Sequence, residues 1–376
     1  MRPTILSLIG ISSSSCCDNG SGALCFRQVV RYSFWTMSKR VGLMGCGQVA
    51  AYGHIPAILA TPDLDLVAVF EPDPNRARDI QHRFGIPLAL ARAEDFFASG
   101  IEAVTITSPA PCHRENVLAC ARHRLPVLCE KPLAVNKEEG DEMVAAMRNA
   151  GQSFYAGFCY RFSPAALKIR ELVRSDAIGR VRSLRLIYNW HLHGKYETSG
   201  GGVKTLQKRR EARMEEGGPM VDCGTHQIDL AHFWLDSPVT RFASHGAWVD
   251  EYQAPDHMWL HLDHANGAHT VVEISYAYTH TAQNRRSEFI YELIGTDGII
   301  RYDREAESFY LENSSGRQEF PFAPEKDFVG LYREWAAALT SGRSDQLTTA
   351  EEGVHVADLA RRATDEAISA RFQTQG

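Results

Sequence analysis

The chain has 376 residues and a formal net charge of −6, with 44% apolar and 23% charged residues. This is the composition of an ordinary globular protein, and the length suggests two domains. The mild acidity argues against a nucleic-acid-binding protein, which normally carries a basic field. No stretch reaches the roughly 18 apolar residues that a membrane span needs, so no membrane partner is expected.

Nine cysteines lie along the chain without a C-x-x-C pair. An odd number in a chain of this length indicates reduced thiols in the cytoplasm rather than a disulfide framework. The first residues differ from the rest, with a serine run at 12–15 and a Gly/Ser-rich stretch up to Gly22. A secretory signal is the weaker interpretation, because the apolar core is short and no A-x-A site follows. We expect residues 1–37 to be a disordered extension or a misassigned start.

From Lys39 to Gly157 the sequence alternates short apolar runs with segments of helical period. Continuous apolar runs are typical of buried parallel strands. They lie at 41–44, 66–70, 103–107 and 127–129. The alternation predicts an α/β domain with a Rossmann-type, doubly wound parallel sheet over residues 38–157.

The second half of the chain contains runs in which apolar and polar residues alternate, typical of strands with one exposed face. Asn266-Gly267 and Asp297-Gly298 lie between neighbouring runs and indicate tight hairpins. Two helices end the chain. We therefore predict an α+β domain over residues 158–376, with a large, mostly antiparallel sheet that binds substrate and supports oligomerisation. The runs are at 181–190, 239–249, 258–264, 268–278, 289–294 and 299–302.

A G-x-G-x-x-A motif directly follows the first strand and opens a helix; it reads Gly45-Cys46-Gly47-Gln48-Val49-Ala50. The first glycine permits a tight turn, and the second lets the backbone approach a pyrophosphate. The alanine lets helix and strand pack closely, so that the pyrophosphate meets the helix N-terminal N–H groups. We expect Gly45, Gly47, Gln48 and Val49 to bind a dinucleotide, the alternative being a glycine turn without a ligand.

Glu71 ends the second strand, roughly 20 residues beyond the glycine loop, where an acidic side chain binds the ribose hydroxyls. A carboxylate at this place repels a 2′-phosphate, and no arginine directly follows it. The sequence therefore favours NAD over NADP as the cofactor. A solvated Glu71 is the alternative.

Four further motifs follow in a fixed order along the chain. They are 108–113 (SPAPCH), 130–132 (EKP), 160–164 (YRFSP) and 217–229 (GGPMVDCGTHQID). The ordered set resembles the glucose-fructose oxidoreductase / inositol dehydrogenase / rhizopine-catabolism (Gfo/Idh/MocA) family. The resemblance covers nearly everything after Met37, and the combination of E-K-P with D-x-G-x-H-x-x-D is far more specific than either motif alone.

The resemblance implies that Lys131, Asp222 and His226 form the catalytic set. It also implies that Lys131 and the residues near it contact the nicotinamide side, and that the Lys131-Pro132 bond is cis, as it often is in similar proteins. The further expected cofactor contacts are Ser108, Pro109, His113 and Glu130.

The same residues make chemical sense without the family. In a helix over 222–235, Asp222, His226 and Asp229 share one face, opposite an aliphatic face. Histidine is suited to take the hydroxyl proton of a secondary alcohol, and Lys131 is suited to hold the same oxygen as charge develops on it. Asp222 then orients the substrate or the imidazole. The alternatives are a surface lysine, a helix-capping aspartate and a core histidine, while for Asp229 a structural role is favoured.

The sequence thus predicts a dehydrogenase that moves a hydride between NAD and a CH–OH carbon of a sugar, sugar derivative or inositol. One alternative is an NAD-dependent glycoside hydrolase or epimerase with transient hydride transfer. The other is a non-catalytic regulator that binds NAD and a sugar. The open sheet face packs against another subunit in similar proteins, so a homodimer or homotetramer is expected.

Three features depart from the family pattern or carry weaker signals. The polar segment between Lys195 and Glu216 is longer than the usual connection, and a solvated loop is favoured slightly over a mobile lid. Cys159 stands where relatives often carry asparagine, which puts a polar cofactor contact there in doubt. Trp190, Trp248 and Trp259 are expected in the core or at a subunit interface. No metal site is expected, although histidines cluster at 191, 193, 257, 261 and 264.

Overall fold

The computed structural model describes residues 4–8, 32–36, 38–199 and 201–373. Within the first 37 residues, strands β1 (Thr4–Leu8) and β2 (Tyr32–Thr36) pair antiparallel as a two-stranded sheet. The rest of that segment lies outside the described residues. The expectation of a disordered extension or a misassigned start therefore stays a prediction.

Seven strands form the first large sheet. Neighbouring strands run parallel, except that the last strand in chain order pairs antiparallel with its neighbour. The strands are β3 (Lys39–Met44), β4 (Leu64–Phe70), β5 (Leu88–Leu90), β6 (Ala103–Ile106), β7 (Val127–Cys129), β8 (Phe154–Ala156) and β19 (Thr348–Thr349). Their order across the sheet is β19-β8-β7-β6-β3-β4-β5. Leu43 and Val104 are fully buried, which explains why these strands read as continuous apolar runs.

Helices cover both faces of this sheet. They are α1 (Ile55–Leu59), α2 (Pro74–Phe84), α3 (Ala93–Phe97), α4 (His113–Arg122) and α5 (Lys137–Asn149). The region predicted as one helix after the glycine loop contains a π-helical turn (Ala50–His54) that continues into α1. Asp73 begins α2 by accepting a hydrogen bond from Asn75 N, with Pro74 in the first turn.

Eight strands form the second large sheet. They are β9 (Val181–Asn189), β12 (Val239–Ala247), β13 (His257–His264), β14 (His269–Ser275), β15 (Glu288–Gly295), β16 (Gly298–Asp303), β17 (Ser308–Asn313) and β18 (Gly316–Glu319). Their order is β12-β13-β14-β9-β15-β16-β17-β18, antiparallel throughout except for the β14–β9 pair. Both predicted hairpin turns join neighbouring strands. The turn between β13 and β14 contains Gly267, whose φ is +81°.

The remaining elements pack between the sheets or against the second one. They are α6 (Pro164–Arg174), β10 (Tyr196–Thr198), β11 (Lys204–Leu206), α7 (Lys208–Glu215), a π-helical turn (Met220–Gly224), α8 (Thr225–Leu235), α9 (Phe328–Ser341) and α10 (Ala350–Gln373). Within the described ranges, no helix combines the length and the apolar character that crossing a bilayer requires.

The end of the chain returns to the first domain. Strand β19 pairs with β8, Thr348 opposite Ala156, and α10 packs against α5 of the first domain as well as α8 and β12 of the second. The predicted fold class is confirmed, but the division at residue 158 differs from the structure, because β19 completes the first sheet. A two-residue strand has no hydrophobic period, so the sequence pattern could not reveal it.

Candidate active site

A cavity of about 480 Å³ lies between the two domains. Gly45, Glu71 and Thr107, which follow β3, β4 and β6, line one side of it. Trp190 and His226 of the second domain line the other side. Open α/β sheets bind their ligands at this edge, outside the carboxyl ends of the strands. The cavity therefore joins the glycine loop to the catalytic residues implied by the sequence.

The glycine loop is shaped for a pyrophosphate. Gly45 has a φ of +95°, and a Cβ there would lie 2.5 Å from Ser108 N, so only glycine fits the turn. At Gly47 a Cβ would meet nothing within 4 Å. The backbone thus leaves open space at the place where the second glycine of the motif lets a pyrophosphate approach. These residues fit NAD, and Gln48 and Val49 line the same space.

Glu71 faces the glycine loop and is 4% exposed. Its Oε2 accepts a hydrogen bond from Cys46 N at 2.9 Å, and its Oε1 accepts from Asp73 N at 3.1 Å. Although no arginine directly follows Glu71, Arg76 reaches back and donates to Oε1 at 3.4 Å. The carboxylate therefore braces the loop at the end of the cavity where the ribose of a dinucleotide lies.

Lys131 and Asp222 form a largely buried ion pair in the cavity wall. Lys131 Nζ lies 2.6 Å from Asp222 Oδ1 and donates to Asp222 O at 3.1 Å. The Lys131–Pro132 peptide bond is cis. Burial works to lower the pKa of Lys131, but the negative charges around it, Asp222 foremost and Glu130 among the others, together outweigh burial and raise that pKa above its usual value. The amine is therefore held as an ammonium.

Asp222 is bound by further donors besides Lys131, among them Cys223 Sγ at 3.7 Å. Tyr276 Oη donates to its Oδ2 at 2.5 Å, and Arg213 Nε lies 3.5 Å from the same oxygen. Burial acts to raise the pKa of Asp222, yet Lys131 and Arg213 together hold it well below its usual range. The carboxylate stays ionised and has little capacity left for another proton.

His226 lines the cavity as a neutral imidazole. Burial, reinforced by the charges of Lys131 and Lys326, lowers the pKa of His226 well below its usual value. The ring stacks on Tyr160 with 3.9 Å between centroids and an interplanar angle of 6°. Its Nδ1 is buried without a partner in the described structure, while Nε2 is open to the cavity. Stacking, rather than a hydrogen bond donated to Asp222, therefore fixes the ring.

A buried network behind Lys131 was not found by sequence reasoning. Glu130 Oε2 accepts from Lys131 N at 3.0 Å, and Glu130 Oε1 lies 2.8 Å from His54 Nε2. His54 Nδ1 in turn lies 2.7 Å from Tyr332 Oη, which donates to Thr105 Oγ1 at 3.3 Å. Through Glu130, the network holds the backbone at Lys131 in place; its anchors are Tyr332 of α9 and His54 of the π-helical turn after the glycine loop. Histidine and tyrosine in helices give no sequence signal of such a role.

One predicted cofactor contact, His113, lies away from the cavity, and so does Asp229, for which a structural role was favoured. His113 is 1% exposed, and its ring nitrogens lie 2.8 Å from Ser108 O and 3.2 Å from Leu133 O. The prediction that it contacts the cofactor does not fit this placement, because both nitrogens are engaged by backbone. Asp229 is fully buried against Arg161. The prediction that Asp222, His226 and Asp229 share one helix face is wrong for Asp229, because a π-helical turn precedes α8 and that helix is buried almost all round.

The segment between Lys195 and Glu216 is not the solvated loop favoured from sequence. It forms the hairpin β10–β11 and helix α7, whose Arg210 is fully buried. Arg210 Nη2 lies 3.0 Å from Asp250 Oδ2, and Nη1 donates to Tyr276 O. This anchor makes α7 a fixed wall of the cavity, with Arg209 and Arg213 one turn apart on the cavity side.

Arg209 of α7 forms a contact between the second domain and the glycine loop. Its Nη1 donates to Gln48 Oε1 at 3.3 Å. Cys159, Tyr188 and Trp190 also line the cavity, and Trp190 packs against the hydrophobic core at the same time. Among the described residues, no group of three or more histidine, cysteine or acidic side chains is arranged to hold a metal ion.

A phosphate-binding turn that faces a buried ammonium and an imidazole across one cavity is the layout of oxidoreductases that use a nicotinamide dinucleotide. Residues 39–158 match the model of an oxidoreductase family with an NAD-binding Rossmann fold. Residues 166–301 match the GFO/IDH/MocA C-terminal domain. The chain therefore belongs to the Gfo/Idh/MocA oxidoreductase family, and NAD is its cofactor. The predictions of family, enzyme class and cofactor are confirmed.

Similar proteins include several dehydrogenases. An inositol 2-dehydrogenase of Acidothermus cellulolyticus is 35% identical over 324 residues, which cover 81% of this chain and 86% of the relative. A D-apiose dehydrogenase of Rhizobium rhizogenes is 28% identical over 262 residues, 69% of this chain and 72% of the relative. Levoglucosan dehydrogenase in complex with NADH and levoglucosan has a TM-score of 0.75 at 21% identity, covering 89% of this chain and 98% of that chain. The last likeness shows the fold.

Proposed function

We propose that this enzyme transfers a hydride between NAD and a CH–OH carbon of a sugar, sugar derivative or inositol, with Lys131, Asp222 and His226 as its catalytic set. The observation that carries the proposal is the neutral imidazole of His226, open at Nε2 to the cavity that also holds the Lys131 ammonium. The names of relatives that oxidise inositol and apiose support a polyhydroxylated substrate.

The side chains divide the work of moving a proton. His226 accepts the hydroxyl proton at Nε2, since the ring is neutral at pH 7. Lys131 has two of its three N–H groups on Asp222 and donates the third to the hydroxyl oxygen, whose developing negative charge it stabilises. Asp222 remains ionised and holds the ammonium in place. Bound NAD supplies the acceptor for the hydride as the C–O bond becomes a carbonyl. In the opposite direction His226 returns the proton.

The test is NADH formation by the purified chain with NAD and a panel of sugars, sugar acids and inositols. His226→Ala should lower turnover roughly 10²- to 10⁴-fold while NAD binds with nearly wild-type affinity. Turnover that survives this substitution would contradict the role of His226. If NAD remains tightly bound but no compound gives NADH, the result favours a hydrolase or epimerase that returns the hydride within one cycle.

Self-association through the open face of the second sheet is a further part of the proposal. Trp259 and Val271 lie half-buried on this face, between fully buried residues that face the helices. Such apolar side chains, which share the face with charged ones such as Arg185 and Glu273, support a homodimer or homotetramer. A single monomeric species in analytical ultracentrifugation at micromolar concentration would argue against it.

We also propose a cytoplasmic location. The nine cysteines without C-x-x-C spacing support this location, and cell fractionation tests it.

A further inference from the structure

Not every cation at the substrate end of the cavity has a full set of partners among the described residues. Lys131, Arg213 and Lys326 line it together with three carboxylates, those of Glu130, Asp222 and Glu216. These carboxylates engage Lys131 and one side of Arg213, and none of them pairs with Lys326, although the chain as a whole carries −6. Buried or half-buried charges in a binding cavity favour a ligand of opposite sign. The cationic groups left unpaired therefore indicate an anionic ligand.

Arg213 contacts carboxylates through two nitrogens of its guanidinium, and its third nitrogen is unpaired among the described residues. Its Nη1 donates to Glu216 Oε2 at 2.5 Å, and its Nε lies 3.5 Å from Asp222 Oδ2. Its Nη2 has no partner within the described residues and is not buried. Because Arg210 anchors α7, this free nitrogen has a fixed direction along the cavity wall. A planar guanidinium held in this way suits a carboxylate oxygen.

Lys326 has no carboxylate partner in the part of the chain that the structure describes. Glu325, its neighbour, pairs with Arg304 at 3.2 Å, and Asp327 caps α9 by accepting from Gly330 N at 2.7 Å. Its Nζ lies 5.9 Å from the ring centre of Tyr52 at the cavity mouth. The positive charge of Lys326 reaches the reacting centre, since it contributes, after burial and Lys131, to the lowered pKa of His226.

The cofactor does not account for these unpaired cationic groups. Its pyrophosphate belongs at the glycine loop, where Arg209, a fourth cation, reaches Gln48. The oxidised nicotinamide ring is itself positive, so it gains nothing from Lys326. The substrate is the remaining source of negative charge.

We propose that the substrate is a sugar acid or polyol acid with one carboxylate, bound by Lys326 and the free Nη2 of Arg213 while the hydroxyl that is oxidised lies between Lys131 and His226. This proposal rests on the proposed function and narrows its substrate class.

The experiment compares matched acidic and neutral compounds: D-glucuronate, its neutral methyl ester, D-gluconate and D-glucose, each with saturating NAD. The wild-type chain should oxidise a carboxylate with the lowest KM, and added sodium chloride should raise that KM. Lys326→Gln should raise the KM of carboxylates about tenfold and leave that of the neutral compounds unchanged. Lys204→Gln, which alters an exposed lysine of β11 outside the cavity, is the matched control and should change neither.

The outcomes distinguish the proposed acidic substrate from the dehydrogenase activity on which that proposal rests. If a neutral compound gives NADH with the lowest KM, or Lys326→Gln raises every KM alike, the carboxylate is refuted while the dehydrogenase stands. If none of the four is oxidised, the melting temperature of the NAD-loaded chain decides. A rise with the carboxylates alone, lost in Lys326→Gln, supports the acidic substrate, and no rise with either carboxylate overturns it. A chain that oxidises no member of the wider sugar and inositol panel contradicts the proposed function itself.

Discussion

Replacing the second glycine of the loop should separate cofactor binding from folding. In Gly47→Ala the new Cβ meets nothing within 4 Å, and the φ of Gly47 is not positive. The free energy of unfolding should therefore change by no more than about 0.5 kcal/mol. The methyl group occupies the space that the pyrophosphate needs, and overfilling a close-packed contact costs about 1–3 kcal/mol. The Kd for NAD should rise by about 5- to 150-fold.

Gly45→Ala is the matched control, because the same added methyl group acts on folding there. Its Cβ would lie 2.5 Å from Ser108 N at a φ of +95°. The backbone strain alone costs about 1–3 kcal/mol, so this variant should melt at a lower temperature even without NAD. Titration calorimetry with NAD and thermal melting of both variants make the comparison. Wild-type affinity in Gly47→Ala, or equal loss of stability in the two variants, would refute the assigned geometry of the loop.

Three further predictions concern single side chains. Arg209→Gln should raise the Kd for NAD about tenfold and make that Kd less dependent on salt, since Arg209 lies at Gln48 beside the pyrophosphate position. An unchanged Kd in titration calorimetry would contradict this. Asp229→Ala leaves Arg161 buried without its main partner and should lower the free energy of unfolding by about 3 kcal/mol in urea titrations, with NAD affinity kept; a marginal loss would argue against a structural pair. Burial lowers the pKa of His232 to about 3, whereas an unfolded chain protonates this residue near pH 6.5. Between those values the unfolded state alone gains the proton, so stability should fall by about 1–2 kcal/mol from pH 7 to pH 5, and His232→Leu should flatten the decline in a melting series.

The parts of the fold that sequence predicted are those with a local pattern. Strands β3, β4, β6 and β7 are continuous apolar runs, and the glycine loop is a short motif directly after one of them. Each depends on neighbours within a few residues, so a pattern can carry it. The hairpin at Asn266-Gly267 is predictable for the same reason, because the turn requires a residue with positive φ.

The active site depends on contacts between distant parts of the chain. Lys131 and Asp222 are 91 residues apart, and only the family resemblance implied that they act together. His54 and Tyr332 are 278 residues apart and carry no motif, so their support of Glu130 could not be predicted. The polar segment around Arg210 was read as solvated, because a charged side chain is normally exposed. Its burial depends on Asp250, whose position no local pattern gives.

The return of β19 to the first sheet has a consequence for dissecting the molecule. A fragment that ends near residue 157 retains the glycine loop but loses the partner of β8, since Thr348 and Thr349 lie almost two hundred residues further on. Strand β8 would then be a bare edge of a parallel sheet, with unpaired N–H and C=O groups beside apolar side chains. Such edges invite pairing with other chains. The nucleotide-binding half is therefore expected to aggregate when it is expressed alone, and fusing the 348–349 strand back onto such a fragment should restore its solubility.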